Sequence, residues 1–338
     1  PRQIDGLGGA DPLTSKVAIV SPSTRPGADV DYTFAQVAVD RPEVSYVNNC
    51  GNISSAVGPY AIDESMVAAV APVSIVRIFN TNTGKLILAR VPVVEGRAAT
   101  EGDSRVDGVP GTGPEIELTF CDPGGAVTRR LLPTGDVAET VSLDGVTRLR
   151  VSVVDCGTLY AFVPASDLSL EGTETPAEIE GRPGFMATVG RLRELVAARL
   201  TEAGAVSVEK GGALRTSLKV AVVARPPAAN PAGVDVVARI LNPGKVHKAF
   251  AVTGAIALAG AAAIPGTVLG ELLGAPGRRL VIGHPAGSMT VRVEGALVDG
   301  SPQIESVTVT RTARRIMDGF VYVRRLPGVG PLAKDPAA

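Results

Sequence analysis

The chain has 338 residues, of which 45% are hydrophobic and 4% aromatic, and its 33 basic and 34 acidic side chains leave a formal net charge of −1. This length is sufficient for about two domains, and the balanced charge lacks the basic field that a nucleic acid or an anionic membrane requires of a partner. Three cysteines without paired spacing and two histidines argue against a disulfide framework and a zinc site, and they favour a cytoplasmic protein.

The first half of the chain is predicted to form strands around one helix of small residues. A glycine-rich turn over residues 5–15 leads into a strand that begins at Lys16, and a second strand follows over residues 30–39. A helix is predicted over residues 50–67, and residues 95–114, rich in Gly and Asp, are predicted to form a loop. Apolar runs predict five further strands, at residues 74–80, 85–94, 115–121, 147–155 and 159–164.

The second half begins with a polar helix, predicted over residues 183–202, that bridges the two halves of the chain. Strands are predicted over residues 218–225 and 234–241, followed by a helix over residues 253–268. This second helix is apolar on all its faces and too short for a membrane span, which indicates a helix buried in a core. The polar helix is expected to point four charged side chains outward: Arg191, Arg193, Glu194 and Arg199. Four more strands are predicted at residues 279–283, 288–297, 303–310 and 319–324.

The two halves repeat one another. When Lys16 is aligned with Lys219, the same offset aligns Cys50 with Thr253, and strands and a small-residue helix follow in the same order in each copy. This repeat is far longer than those of solenoid proteins. We therefore predict an α+β protein of two homologous domains, residues 1–165 and 166–330. Each is expected to be a curved, mostly antiparallel sheet around a buried central helix, with the active site in the cleft between the two helix N-termini.

The sharpest chemical feature is the segment Asn-Asn-Cys-Gly-Asn at residues 48–52, at the start of the first small-residue helix. Unpaired amides and the positive end of a helix dipole bind carboxylates, and they favour a thiolate at Cys50. Gly51 allows a ligand to approach the backbone, and Asn49 and Asn52 can donate amide hydrogen bonds. The alternative is that Cys50 is a small buried apolar residue, which is the interpretation we prefer for the other two cysteines.

Lys16 enters an apolar strand directly after the glycine-rich turn of residues 5–15. Partial desolvation of this side chain would make its amine available as a base, and the turn would let a ligand lie against the backbone. The alternative is that Lys16 is a surface lysine at a strand end. Lys219 is flanked by a similar sequence, so the flanking residues alone do not distinguish a catalytic lysine from a surface one. His247 precedes the second small-residue helix and His284 ends a strand. Each is expected either to grip a carboxylate or to be a structural histidine.

Four segments carry a resemblance to known proteins: DGLGGADPLTSKVAIVSPS, NNCGNISSAVGPYAIDE, HKAFAVTGAIALAGAAAIPGT and HPAGSMTV. They resemble the PrpF family, whose members include methylaconitate isomerase, methylitaconate Δ-isomerase, 4-oxalomesaconate tautomerase and aconitate Δ-isomerase. The resemblance runs over nearly the whole chain. It implies the diaminopimelate-epimerase-like fold, with Lys16 as the main acid/base and Cys50 as its partner. It also implies that no nicotinamide, flavin, pyridoxal phosphate or metal is needed, and homodimers are common for this fold.

The chain departs from the wider fold at two points. Amino-acid epimerases of this fold use a cysteine at the start of each central helix, whereas the second helix here starts with Ala251, Val252 and Thr253. This departure speaks against an epimerase with one base on each face of a carbon, and it suits a proton shift across one face of an alkene. Family members also carry a segment before the equivalent of Pro1, so either that segment is missing from this sequence, which we prefer because a lost core strand would leave an unpaired sheet edge, or the first domain lacks its first strand.

We therefore expect a cofactor-independent isomerase of an unsaturated di- or tricarboxylate of the 2-methylaconitate, aconitate or oxalomesaconate type. The reaction is a 1,3-allylic proton shift, a cis–trans isomerisation, or both, with Lys16 removing the proton and Cys50 or Lys16 returning one at the γ carbon. The alternatives are an amino-acid epimerase or racemase on the same fold and a non-catalytic member. The residues expected to bind the substrate are Ser15, Asn49, Gly51, Asn52, Ile53, His247, Thr253, Gly254, Ala255, His284 and Ser288.

Overall fold

Strands are the commonest regular element in the described part of the chain. The computed structural model describes residues 3–4, 6–47, 49–230, 233–274, 277–298 and 301–322. The first group of elements comprises β1 (Lys16–Pro22), β2 (Val30–Val37), β3 (Val44–Ser45), α1 (Gly51–Asp63), β4 (Val73–Asn80), β5 (Lys85–Val94), β6 (Arg97–Ala98) and β7 (Ile116–Cys121). A middle group comprises β8 (Glu139–Ser142), β9 (Arg148–Cys156), β10 (Thr158–Pro164), α2 (Pro176–Glu180), α3 (Phe185–Glu202) and α4 (Val208–Ser217).

The last group begins with a strand that starts at Lys219, as the first begins with a strand that starts at Lys16. It comprises β11 (Lys219–Ala224), β12 (Val236–Asn242), β13 (Lys245–Val246), α5 (Val252–Ala262), α6 (Val268–Leu273), β14 (Arg279–His284), β15 (Gly287–Val298) and β16 (Ser301–Arg311). The α+β class predicted from the sequence is therefore confirmed.

The first and last groups of strands pair in the same pattern. Strand β1 is antiparallel to β2, β2 is parallel to β4, and β4, β5 and β7 continue antiparallel. Likewise β11 is antiparallel to β12, β12 is parallel to β14, and β14, β15 and β16 continue antiparallel. The two groups join where β16 pairs with β7, and β10 runs parallel to β11. The main strand order is β1-β2-β4-β5-β7-β16-β15-β14-β12-β11-β10-β9-β8.

Helices α1 and α5 pack against strands of this sheet. Every residue of α5 is buried, as its uniformly apolar sequence requires. Glycines on the two helices lie against the strands: a Cβ at Gly58 would lie 2.8 Å from a methyl of Val91, and one at Gly260 would lie 2.6 Å from the sulfur of Cys156. The small residues of these helices thus allow close packing on the sheet. Helix α3 packs in a second apolar cluster with β8–β11.

Two predictions about elements were wrong. Arg193 was expected to point outward from the polar helix, but it is 3% exposed, and its guanidinium donates to the carbonyl oxygens of Leu218 and Leu241. A long side chain on the packed face of α3 can reach carbonyls at the ends of the adjacent strands, which periodicity alone does not reveal. The strand expected at residues 319–324 is also wrong, because residues 319–322 lie outside any strand and the remaining two lie outside the described residues.

Three short helices, α2, α4 and α6, were not predicted, and α5 ends at Ala262, before the predicted end of its helix. Within the described ranges, no helix is long and apolar enough to cross a membrane.

Candidate active site

The N-termini of α1 and α5 meet head to head. A Cβ at Gly51 would lie 2.4 Å from a methyl of Val252 and 3.6 Å from the backbone nitrogen of Thr253, so only glycine fits between the two helices. Neither helix has a side chain that caps its first amides. By contrast, helices α2, α4 and α6 are capped by Thr175, Ser207 and Thr267. The first amides of α1 and α5 therefore have no side-chain acceptor at the N-cap.

Lys16 and Cys50 lie side by side at this junction. The Nζ atom of Lys16 is 3.5 Å from the Sγ atom of Cys50, and both residues are partly buried. Cys50 is the N-cap of α1 in an extended conformation, and its sulfur makes no capping bond. The buried side chain of Asn49 accepts a hydrogen bond of 2.7 Å from the backbone N–H of Cys50 and holds this turn in place. An amine and a thiol thus meet beside a helix N-terminus.

Lys219, the repeat counterpart of Lys16, joins the same group. Burial lowers the pKa of Lys219, the nearby Cys50 opposes this effect and the positive charge of Lys16 adds to it. The ammonium group lies 5.6 Å from the ring centroid of Tyr160, within the range of a cation–π contact. The alignment of the two halves of the sequence matched Lys219 to Lys16, but the residues that flank Lys219 did not distinguish a functional lysine from a surface one.

A cavity of about 960 Å³ adjoins this group. Lys16 and Cys50 are not part of its wall, but Lys219 is, and so is Asn52, two residues after Cys50. Other basic side chains in the wall are His247, Lys245, Lys248, His284 and Arg311, and acidic ones are Asp11 and Asp107. The excess of basic groups suits an anionic ligand. No cluster of His, Cys, Asp or Glu suited to a metal ion occurs among the residues that the structure describes.

The two histidines share one local arrangement. The Nδ1 atom of His247 accepts the backbone N–H of Ala249 at 3.1 Å, and that of His284 accepts the N–H of Ala286 at 3.2 Å. Burial lowers the pKa of both rings, so both are neutral near pH 7. A neutral ring whose Nδ1 accepts carries its proton on Nε2, which makes each histidine a hydrogen-bond donor.

Other residues predicted to bind substrate are engaged within the protein. The hydroxyl of Ser15 donates to Gln3 at 2.8 Å, and the backbone N–H of Ser288 donates to Asp107 at 2.7 Å. Ile53 packs against the core. The cavity wall does not include Ser15, Asn49, Gly51, Ile53, Thr253, Gly254, Ala255 or Ser288, whose contacts with substrate stay predictions.

Comparison with known families matches residues 1–324 to the family described as PrpF protein. Relatives include the 3-methylitaconate isomerase of Eubacterium barkeri, 43% identical over 337 residues that cover 96% of this chain and 87% of the relative. The (4E)-oxalomesaconate Delta-isomerase of Novosphingobium sp. is 39% identical over 326 residues, which cover 96% of this chain and 86% of that protein. The 2-methyl-aconitate isomerase of Cupriavidus necator is 36% identical over 353 residues, covering 97% of this chain and 85% of that protein.

Solved structures agree with these relatives. The crystal structure of a methylitaconate-delta-isomerase, 43% identical, superimposes with a TM-score of 0.78 over 95% of this chain and 84% of that chain. A probable proline racemase from Agrobacterium radiobacter K84, 15% identical, gives a TM-score of 0.53 over 90% of this chain and 76% of that chain, which shows a related fold. Because the family match spans nearly all of the sequence and these relatives exceed 35% identity over most of it, the chain belongs to the PrpF family.

Proposed function

We propose that the protein is a cofactor-independent isomerase that moves an allylic proton on an unsaturated di- or tricarboxylate of the methylitaconate, methylaconitate or oxalomesaconate type. The observation that carries the proposal is the 3.5 Å contact between the amine of Lys16 and the thiol of Cys50, beside two uncapped helix N-termini and a basic cavity. The names of the relatives supply the substrate class, since each describes an isomerase of such an acid.

The repeated strand pairing supports a division of the chain into two homologous domains, residues 1–165 and 166–330. Each domain then contributes one central helix, α1 or α5, and one lysine at the start of its first strand, Lys16 or Lys219. The active site lies in the cleft between these domains, where the two helices abut at Gly51.

The reaction needs only proton transfers between substrate carbon and side chains. Lys16, as a free amine, removes an allylic proton, and the electron pair spreads into the conjugated carboxylate as a dienolate. The amides of α1 and α5 and the charge of Lys219 stabilise this anion, because they are oriented before the charge develops. Cys50 or Lys16 then returns a proton at the γ carbon, so the double bond moves and the net composition is unchanged.

Deuterium exchange tests this proposal. The protein is mixed with methylitaconate, 2-methylaconitate, cis-aconitate or oxalomesaconate in deuterated water, and proton NMR follows each allylic position. We expect exchange and isomerisation of at least one acid, with Lys16→Ala and Cys50→Ser slower by about 10²–10⁴-fold, the usual contribution of a positioned acid or base.

Cys121→Ser is the matched control. This thiol is also partly buried, but it ends β7 and does not line the cavity, so the variant should exchange at the wild-type rate. Absence of exchange with all four acids contradicts the proposal. Exchange only at the α carbon of an amino acid such as proline also contradicts it, and that result favours a racemase.

A further inference from the structure

Arg311 is a buried cation that the mechanism above does not use. It is the last residue of β16, it is 7% exposed, and it lines the cavity beside His284 and Met289. One of its terminal nitrogens donates to the carbonyl oxygen of Thr310 at 2.7 Å, and the other lies 2.7 Å from the sulfur of Met289. A thioether is a weak acceptor, and the Nε atom is buried without any hydrogen-bond partner. The guanidinium is therefore poorly satisfied.

The other buried arginines are satisfied differently. Arg193 donates to two backbone carbonyls, and Arg239 donates from Nε to the carbonyl of Glu174 at 2.7 Å and from Nη1 to that of Ala238 at 2.9 Å. Neither of them lines the cavity. Since a buried charge is unfavourable unless it is paired, the one arginine that faces the cavity has donors left over for a ligand.

No protein carboxylate neutralises Arg311. Within the described part of the chain, no Asp or Glu oxygen lies within ion-pair distance of its guanidinium. Burial lowers the pKa of Arg311 to about 10, so it stays protonated at neutral pH. Asp107 also lines the cavity, and its carboxylate accepts hydrogen bonds from the backbone N–H and the hydroxyl of Ser288.

Two separate cationic groups surround the cavity. The charges of Lys219 and Lys16 act on His247, whereas the positive charges of Arg311 and Arg239 and the negative charge of Asp107 act on His284. Lys219 in turn interacts electrostatically with Cys50 and Lys16. The reacting amine and thiol thus belong to the first group, and Arg311 belongs to the second.

We propose that Arg311 and His284 form a carboxylate subsite that anchors the substrate carboxylate remote from the reacting carbon. The proposal rests on the proposed function, since it makes the second cationic group the reason why this cavity selects acids with more than one carboxylate. The fork of a guanidinium binds a carboxylate through two parallel hydrogen bonds, and the unpartnered Nε is one of the donors that such a bond requires.

Binding of tricarballylate, a saturated tricarboxylate that cannot isomerise, tests the subsite without any turnover. Isothermal titration calorimetry compares the wild type with Arg311→Met, Arg311→Lys and the control Arg292→Met. Arg292 is an exposed arginine on the neighbouring strand, paired with Glu117 outside the cavity. We expect Arg311→Met to weaken tricarballylate binding by about 10- to 150-fold, as for loss of a charged hydrogen bond. Arg311→Lys should weaken it less, and Arg292→Met should leave it unchanged.

The outcomes separate the subsite from the isomerase. Wild-type affinity in both Arg311 variants, or a wild type that does not bind tricarballylate, overturns the subsite. If Arg311→Met does not fold, as judged by its circular dichroism and thermal transition, Arg311→Lys decides, because it keeps a buried cation of similar size. If the wild type exchanges no allylic proton but Arg311→Met still loses tricarballylate affinity, the subsite stands and the proposed reaction fails.

Discussion

A second lysine at the thiol distinguishes this site from a simple amine–thiol pair. Lys219 faces Cys50 and Lys16, and burial lowers its pKa. Two lysines and one thiol can share protons and charge in a way that one pair cannot, because either amine can be the neutral base while the other remains a cation. We assign Lys16 as the base, since its nitrogen contacts the sulfur directly. Because burial disfavours the ammonium form of Lys219, we expect the bound carboxylates to restore the charge with which Lys219 stabilises the dienolate.

Lys219→Met should therefore slow allylic exchange by about 10²–10³-fold, comparable to the loss of one donor that stabilises a developing anion. It should not lower the free energy of unfolding, because methionine removes a desolvated charge while filling a similar volume. Exchange by NMR and urea denaturation measure the two effects. Lys210→Met, which removes a lysine on α4 that is not part of the cavity wall, is the control. Exchange at the wild-type rate in Lys219→Met contradicts the role given to Lys219.

Sequence reasoning singled out Lys16 and Cys50, which the structure places 3.5 Å apart, but it did not single out Arg311. Lys16 and Cys50 could be recognised from their local sequence, because Lys16 follows a glycine-rich turn and Cys50 lies at the start of a predicted helix. Arg311 has no such context, because one arginine at the end of a strand ordinarily points into solvent. Its burial arises only when β16 lies between β7 and β15, a pairing between residues far apart in the chain. The same limit applies to Arg193, whose carbonyl partners are Leu218, directly before β11, and Leu241 of β12.

At the scale of elements, the contact between α1 and α5 is set by one glycine. A methyl at Gly51 would lie 2.4 Å from Val252, so Gly51→Ala must push the helices apart. We expect it to lower the free energy of unfolding by about 1–3 kcal/mol, the usual effect of overpacking, and to slow exchange by moving Cys50. Urea denaturation and NMR exchange measure both.

A double-mutant cycle makes this prediction specific. Val252→Ala alone opens space, and in combination with Gly51→Ala it should recover part of the lost stability and activity. Gly190→Ala is the matched control, since Gly190 lies within α3 and an added Cβ there meets nothing within 4 Å. That control should stabilise the protein by about 0.5–1 kcal/mol. Purely additive effects of the Gly51 and Val252 changes contradict the head-to-head contact.

Elements with strong patterns were predicted closely and weakly patterned ones were not. The strand predicted at residues 85–94 is β5 with the same bounds, and α3 lies within two residues of its prediction. Helix α4 was missed because residues 208–217 carry no amphipathic periodicity and include two glycines. It is held by the side-chain cap of Ser207 and by packing on α3, and the second of these is a tertiary effect.

At the scale of the whole molecule, the sheet connects the part of the site that contains Cys50 to the part that contains Arg311. Strand β16 pairs on one edge with β15 of its own group and on the other with β7 of the first group. The helix bearing Cys50 and the cavity wall bearing Arg311 are thereby fixed to one framework. The repeat could be recognised from the sequence. The pairing of β16 with β7 could not, because nothing in the sequence of either strand identifies the strand with which it pairs.

The two histidines make the stability of this framework dependent on pH. Burial is the main cause that lowers both pKa values below 6.5; the cations Lys219 and Lys16 add to it at His247, and Arg311 and Arg239 add to it at His284. A backbone interaction at Ala249 opposes it at His247, and the Ser288 backbone and Asp107 oppose it at His284. Between each folded-state pKa and 6.5, the unfolded chain binds more protons than the folded one, so the free energy of unfolding rises with pH through this window.

Stability that is present above about pH 6.5 should therefore be lost as the pH falls through the folded-state pKa values of the two histidines. Urea denaturation at pH 7.5 and pH 5.5 measures this loss, and the variant His247→Gln/His284→Gln should lose less than the wild type. The lowered pKa values of Asp29 and Glu174 act at lower pH, below their ordinary values of 3.8 and 4.5. Burial raises the pKa of Asp155, which has the opposite sign, but this residue is present in both proteins and cancels in the comparison. An identical loss in the wild type and the double variant would mean that neither imidazole is held neutral by the fold, and their assignment as neutral donors to substrate would fall with it.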